Sequence, residues 1–126
     1  MQADHTLLSS FRHAFAGMWY VVRSQRNARV HLALTAVVLG LGAWIGLSRT
    51  EWAILVLVIG MVLATEWFNT AAEATVDLVT AQYHPLAKVA KDVAAAGVLL
   101  TALVAVVVGA LILGVPLWQR LAMLFH

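Results

Sequence analysis

Three apolar runs separated by short polar segments dominate the chain. They cover residues 30–47, 52–68 and 93–115, and each is close to the roughly 20 residues that cross a bilayer as a helix. Helical spacing continues beyond the second run, and Pro85 stands where a third helix would begin. We therefore expect spans at about 30–47, 52–79 and 86–115, with Pro116 ending the third.

A shorter amphipathic pattern precedes the first span. Apolar residues recur at positions 11, 14, 15, 18, 19 and 22, with Arg12 and Arg23 on the flank. This spacing predicts a helix over residues 11–24 that lies in the membrane surface. An unbroken helix would bring Arg29 to the apolar side, so we expect a break between residues 24 and 27. The predicted fold is all-α, with residues 1–126 forming a single membrane-embedded domain.

Composition agrees with a membrane protein, because 63% of the 126 residues are hydrophobic and 11% are charged. With no cysteine, the chain has no disulfide, thiolate chemistry or Cys-based metal site. The net charge is +2, but the basic residues are scattered, which argues against nucleic-acid binding. Basic residues precede the first span and follow the second, so the positive-inside rule places both segments on the cytoplasmic side of the membrane. They are Arg12, Arg23, Arg26, Arg29, Lys88 and Lys91, against Arg49 and Arg120 on the other side.

A polar face at the end of the second span is the candidate site. At 3.6 residues per turn, its four members fall within roughly 80° of one another. They are Glu66, Asn69, Glu73 and Asp77. A carboxylate at membrane depth costs about 2.5 to 3.5 kcal/mol on the insertion scale and is usually functional. Lys91 and Asp92, one turn before the third apolar run, can meet these acids at the same level.

These residue types suit phosphoryl transfer at a membrane surface. Mg²⁺ needs one or two carboxylates and completes its octahedron with substrate phosphates and water. A lysine can neutralise phosphate charge, and a second carboxylate can act as general base towards a hydroxyl. The chain has neither a phosphate-binding loop of the Walker type nor a protein-kinase signature. From the residues alone, a small ion- or proton-translocating protein and a non-catalytic assembly protein therefore remain open.

Two segments carry a resemblance that narrows the choice. Residues 66–77 read Glu-Trp-Phe-Asn-Thr-Ala-Ala-Glu-Ala-Thr-Val-Asp, and residues 83–92 read Tyr-His-Pro-Leu-Ala-Lys-Val-Ala-Lys-Asp. Together they resemble the bacterial membrane diacylglycerol kinase and undecaprenol kinase family. The resemblance implies a homotrimer of three-span subunits, each with an N-terminal surface helix, and active sites shared between neighbours. It also implies a membrane lipid alcohol as substrate, ATP as cosubstrate and Mg²⁺ as cofactor.

The same resemblance assigns roles to individual residues. Glu66 would be the base that takes the proton of the lipid hydroxyl, and Asn69 would help to orient that hydroxyl. Glu73 would bind Mg²⁺ on the phosphates of ATP. Gln25 aligns with a second Mg²⁺-binding glutamate of the family and offers only a neutral oxygen, with Asp77 as the nearest spare acid. The remaining nucleotide contacts would come from Gln82, Tyr83, His84, Lys91 and Asp92.

The identity of the lipid depends on two further segments. Residues 26–32, Arg-Asn-Ala-Arg-Val-His-Leu, and residues 84–88, His-Pro-Leu-Ala-Lys, look more like the undecaprenol-using branch than the diacylglycerol-using one. The sequence therefore favours undecaprenol over diacylglycerol.

Overall fold

The computed structural model describes residues 6–125, and four helices account for nearly all of them. They are α1 (Leu7–Ser24), α2 (Arg26–Ile45), α3 (Arg49–Val79) and α4 (Pro85–Leu124). The described part contains no strand. Helices α2, α3 and α4 are each long and apolar enough to cross a membrane. The predicted all-α fold with three long apolar helices is confirmed.

Gln25 separates α1 from α2. Its backbone is extended, with φ −107° and ψ 120°, so it ends one helix and begins the next. Arg29 reaches back across the break, and its Nη1 donates to the carbonyls of Val22 at 3.4 Å and Arg23 at 3.1 Å. These carbonyls lie in the last turn of α1, where helical partners are missing. The predicted break between residues 24 and 27 is confirmed.

Helix α1 begins at Leu7, earlier than the predicted residue 11. Thr6 is its N-cap, since the Thr6 hydroxyl accepts a hydrogen bond from the Ser9 amide at 3.3 Å. A threonine hydroxyl in this position satisfies an amide that has no helical partner. The start of the helix is therefore set by its cap and not by the first apolar residue of the periodic pattern.

A tight connection joins α2 to α3. Gly46 ends α2 with φ +82°, a left-handed conformation that favours glycine. Ser48 then starts α3 through a capping box, in which its hydroxyl accepts from the Glu51 amide and its own amide donates to Glu51 Oε2. Each half of the box satisfies one amide that lacks a helical partner.

Pro116 does not end the fourth helix, so that expectation is wrong: α4 continues through it to Leu124. A proline inside a helix removes one backbone hydrogen bond, and neighbouring groups in membrane helices commonly compensate for the loss. At the other end, Pro85 occupies the first turn, where its missing N–H costs nothing.

The most extensive helix contact is between α3 and α4. Midway along it, the hydroxyls of Thr65 and Thr101 lie 2.8 Å apart. Few large apolar side chains are buried, and most face outward, as expected of helices whose surroundings are lipid. Helix α3 contacts each of the other three helices and carries the buried polar residues of the candidate site.

Candidate active site

Glu73 lies at the centre of the first polar cluster, on α3. Its Oε1 accepts a hydrogen bond from Asn69 Nδ2 at 3.2 Å, one turn earlier on the same helix. Its Oε2 accepts from Gln25 Nε2 at 3.3 Å. Gln25 reaches Glu73 because the break between α1 and α2 turns its side chain towards α3. The structure thus brings together three residues that the sequence assigned to one site.

Glu66 is nearly inaccessible, with 1% of its surface exposed, and its Oε2 is buried without a hydrogen-bond donor. Asn69, 9% exposed, likewise has a buried Oδ1 without a donor. A buried polar atom without a partner costs free energy, and such atoms concentrate at functional sites. The predicted base and the predicted orienting amide therefore both have unused hydrogen-bonding capacity in the interior.

His31 on α2 was not selected from the sequence as a site residue. Among residues 6–125, His31 and Glu73 lie close enough to Glu66 to act on its charge. The sequence feature that could have identified His31 is the one that identified Glu66, namely a polar side chain within an apolar span. Whether such a histidine faces α3 depends on the rotation of α2, which the sequence does not fix.

The second cluster surrounds a cavity of about 520 Å³ where α3, the following connection and α4 meet. Its size is within the range of roughly 300–1,000 Å³ that is usual for small-molecule sites. Five of the six residues predicted to bind MgATP line it, together with Asp77 and Lys88, whereas the sixth, Glu73, does not. These five are Gln82, Tyr83, His84, Lys91 and Asp92.

Local hydrogen bonds order the connection that supplies three of these residues. The Thr80 hydroxyl accepts from the Gln82 amide at 3.2 Å and donates to the Gln82 carbonyl at 3.0 Å. The His84 Nδ1 accepts from the Leu86 amide at 3.2 Å and so caps α4. Because Nδ1 is an acceptor, a neutral His84 carries its proton on Nε2 and has a donor left for a ligand.

Lys91 and Asp92 were expected to meet the acids of α3, and the outcome differs between them. Lys91 Nζ lies 2.6 Å from Asp77 Oδ1 on α3, which agrees with the expectation. Asp92 pairs instead with Lys88 on its own helix. Residues four apart on a helix are neighbours, so Lys88 is already within reach of Asp92 before α3 and α4 pack together.

The residues around Glu73 fit a magnesium ion. Glu73 offers one carboxylate, and Gln25 and Asn69 can each present an amide oxygen if the amide rotates. The unpaired Oδ1 of Asn69 is an acceptor that a cation would satisfy. Mg²⁺ usually takes one or two carboxylates from the protein and its remaining oxygens from phosphates and water. Within residues 6–125 there is no group of three or more His, Cys, Asp or Glu that could hold a metal ion.

Comparison with known proteins places this chain in a family. The model of the prokaryotic diacylglycerol kinase family matches residues 12–113. The chain is 46% identical over 103 residues to an undecaprenol kinase of Bacillus subtilis, covering 82% of this chain and 84% of that one. It is 44% identical over 117 residues to a diacylglycerol kinase of Synechocystis sp., covering 92% and 67%. With a diacylglycerol kinase of Escherichia coli it shares 34% identity over 95 residues, or 75% of each chain.

The family match covers both polar clusters, from Gln25 to Asp92, together with all of α2 and α3 and most of α4. The protein is therefore a membrane lipid kinase that belongs to the prokaryotic diacylglycerol kinase family.

Proposed function

We propose that the protein transfers the γ-phosphoryl group of ATP to the hydroxyl of a membrane lipid alcohol, with undecaprenol as the preferred acceptor. The observation that carries the proposal is the placement of two carboxylates on α3. Glu66 is buried, Glu73 is held by amides about two turns further on, and the cavity that gathers the nucleotide residues adjoins the same helix end. Membership in a kinase family decides against the translocating and non-catalytic alternatives.

In this proposal Glu66 is the general base. It accepts the proton of the lipid hydroxyl as that oxygen bonds to the γ-phosphorus, and the bond from phosphorus to the leaving oxygen of ADP breaks. General base catalysis contributes typically 10²- to 10⁴-fold in rate. Glu66 is 1% exposed, so either the Glu66 side chain or a neighbouring helix must move before the lipid hydroxyl can reach the carboxylate. The Asn69 amide then orients the hydroxyl.

Glu73 holds the cation of MgATP in the proposal, with Gln25 as a neutral second ligand. When bound there, Mg²⁺ would supply positive charge that offsets the charge developing during transfer. Lys91 offsets further phosphate charge from the opposite helix. The nucleotide occupies the cavity between α3 and α4, where Gln82, Tyr83, His84 and Asp92 make the remaining contacts.

We also place the site on the cytosolic side of the inner membrane, with α1 on the membrane surface. The support is the distribution of basic residues along the chain, with six of the eight in α1, early α2 and early α4. MgATP is available in the cytosol, and the cavity lies at the start of α4, near the basic residues Lys88 and Lys91. On α1, Phe11, Phe15 and Trp19 are all exposed, as a surface-bound helix requires.

A homotrimer is the proposed assembly. The support is the family resemblance, together with the many large apolar side chains that one chain leaves exposed. Polar groups at membrane depth are normally enclosed by protein, and one chain covers Glu73 only in part. Light scattering on the purified protein in detergent micelles should give a protein mass of three chains, whereas a single-chain mass would contradict the assembly.

The choice of lipid is supported by residues 26–32 and 84–88, while overall identity is similar to the undecaprenol kinase and to the Synechocystis diacylglycerol kinase. The decisive experiment offers both lipids to the purified protein in the same vesicles, with Mg²⁺ and ATP radiolabelled in its γ-phosphate. We expect label in undecaprenyl phosphate ahead of phosphatidic acid. Label only in phosphatidic acid would reverse the choice of lipid, and label in neither lipid would refute the proposed reaction.

A further inference from the structure

Two ion pairs occur in residues 6–125, and they differ in what they connect. Lys88 and Asp92 both belong to α4, so their contact fixes nothing between helices. Lys91 reaches from α4 to Asp77 on α3, with Nζ 2.6 Å from Oδ1. All four side chains line the cavity between these helices. The contact between Lys91 and Asp77 is therefore the ion pair that ties one wall of the cavity to the other.

We propose that Asp77 is a positioning residue, which holds the Lys91 ammonium on the cavity wall where the phosphates of the nucleotide bind. This inference rests on the proposed function, in which Lys91 contacts the nucleotide. A lysine side chain has a flexible four-carbon stem and a strongly hydrated ammonium, so without a partner it samples many rotamers. With 39% of the Lys91 side chain exposed, open water is within its reach. The Asp77 carboxylate restricts this sampling before the nucleotide arrives.

The location of Asp77 supports a role other than helix stability. Asp77 lies in the last turn of α3, which ends at Val79. The partial negative charge at the C-terminal end of a helix disfavours a carboxylate there. The last turn of α3 also contains no basic residue that would compensate. The negative charge of Asp77 is therefore unfavourable for α3 itself. The interaction that compensates for it is the contact with Lys91.

Asp77 affects nucleotide binding in two ways that have opposite signs. Salt weakens one of the two effects and not the other. The charge of Asp77 repels phosphates, which would weaken binding, whereas its hold on Lys91 strengthens binding. The Asp77 side chain is 64% exposed, so at physiological salt, where the screening length is about 8 Å, its repulsion of more distant phosphates is largely screened. The restriction of lysine rotamers does not depend on long-range charge. The phosphate bound to Lys91 lies within that length and is still repelled, but the surroundings of Asp77 are water-like, so this repulsion is weak and positioning should decide the sign.

The test is a double-mutant cycle on the full-length protein in lipid vesicles at physiological salt, with KM for MgATP and kcat measured separately. Asp77→Asn should raise KM for MgATP about three- to tenfold, the range that corresponds to a loss of pre-organisation, while kcat changes by less than about twofold. Asp77→Glu should restore KM to within about twofold, because it keeps the charge and its longer stem can still reach Lys91. In a Lys91→Met background, Asp77→Asn should add less than about twofold, since contacting residues that act as a unit are not additive.

Glu51 provides the matched control, as an acid at the opposite end of α3 that serves the capping box. Glu51→Gln should lower thermal stability and leave KM for MgATP unchanged. The inference is overturned if Asp77→Asn leaves KM unchanged or lowers it, if Asp77→Glu is no better than Asp77→Asn, or if the effect persists in the Lys91→Met background. If Lys91→Met itself leaves KM for MgATP unchanged, the Lys91 assignment in the proposed function fails, and the inference fails with it.

Discussion

Gln25 and Glu73 are hydrogen-bonded across 48 positions of sequence, with Nε2 of the amide 3.3 Å from Oε2 of the carboxylate. The other oxygen of Glu73 accepts from Asn69 Nδ2 at 3.2 Å. Both oxygens of the candidate metal ligand are thus engaged by amide donors. Each carboxylate oxygen keeps a second lone pair for a cation, and the adjacent amide at position 25 can either crowd the ion or turn its own oxygen towards it. The side chain at position 25 should therefore influence how tightly the ion binds.

Replacing Gln25 by Glu should strengthen binding of the cation. A second carboxylate beside Glu73 adds one negative charge that attracts the two positive charges of Mg²⁺, worth about 2 kcal/mol at 4 Å in water-like surroundings, or roughly a thirtyfold change in affinity. We therefore expect the free Mg²⁺ concentration for half-maximal activity, at saturating ATP, to fall about thirtyfold. Without Mg²⁺ the two carboxylates repel each other, so the thermal unfolding temperature should fall and should recover when Mg²⁺ is added.

Gln25→Ala is the control for this prediction. It removes the same hydrogen bond to Glu73 without adding charge, so its Mg²⁺ requirement should not fall. Gln25 would have no place at the cation if the Glu variant showed the Mg²⁺ dependence of the original protein.

Glu66→Gln should remove most turnover and spare nucleotide binding. The amide keeps the size of the side chain and cannot accept the proton of the lipid hydroxyl. Loss of a general base costs about 10²- to 10⁴-fold in kcat, whereas KM for MgATP should stay within about twofold because in the proposal Glu66 contacts neither the cation nor the nucleotide. Steady-state kinetics with saturating lipid separates the two constants, and normal turnover would refute the role of Glu66.

Glu73→Gln should give the opposite kinetic pattern. Removing the single carboxylate near the cation should raise KM for MgATP at least about tenfold, since loss of even an outer partner of a metal typically weakens binding by that much. The variant should regain activity when free Mg²⁺ is raised. The expected contrast with Glu66→Gln makes each variant the control for the other. An unchanged KM for MgATP would mean that Glu73 is not the ligand.

The sequence was sufficient for features that depend on local chemistry. The apolar runs predicted three long helices, and the side on which Arg29 would fall predicted the break that the structure places at Gln25. Residues 82–84 reach the cavity because the Thr80 turn and the His84 cap are short-range interactions, which sequence neighbours determine.

Features that depend on how helices rotate against one another were not predictable in the same way. Spacing placed Asp77 and Glu73 on one face of α3 but could not say which of them Lys91 meets, because that choice requires the rotation of α4 about its axis. The near-complete burial of Glu66 has the same origin, since it depends on how the neighbouring helices cover that face. The presence of proline at position 116 predicted the end of a helix, but α4 continues through Pro116 to Leu124.

Thr101→Val tests the polar contact between α3 and α4. The Thr101 hydroxyl lies 2.8 Å from that of Thr65 and also within hydrogen-bonding distance of the Val98 carbonyl. Valine keeps the shape and loses the contact. Hydrogen bonds between membrane helices average about 0.6 kcal/mol and reach about 1.7, and we expect destabilisation in that range, measured by unfolding in detergent micelles.

Thr75→Val is the matched control for the Thr101 variant. The Thr75 hydroxyl bonds the Ala71 carbonyl within α3 at 2.8 Å, so its loss leaves the packing of helices unchanged. If Thr101→Val were as stable as the original protein, or if both variants lost the same stability, the contact between Thr65 and Thr101 would contribute nothing to the packing of α3 against α4.

Gly42→Ala should destabilise the connection between α2 and α3, whereas Gly40→Ala, on the same helix, should not. A Cβ at position 42 would lie 2.9 Å from Cη2 of Trp52 and 3.0 Å from Cδ1 of Leu47, while one at position 40 would meet nothing within 4 Å. Both obstructing atoms are at the ends of side chains that can shift, so the cost should be near the lower end of the 1–3 kcal/mol typical of overpacking. At position 40 the helix gains up to about 1 kcal/mol from replacing glycine by alanine. Thermal unfolding in micelles should therefore shift in opposite directions for the two variants, and a shift in the same direction would mean that Trp52 does not pack closely against Gly42.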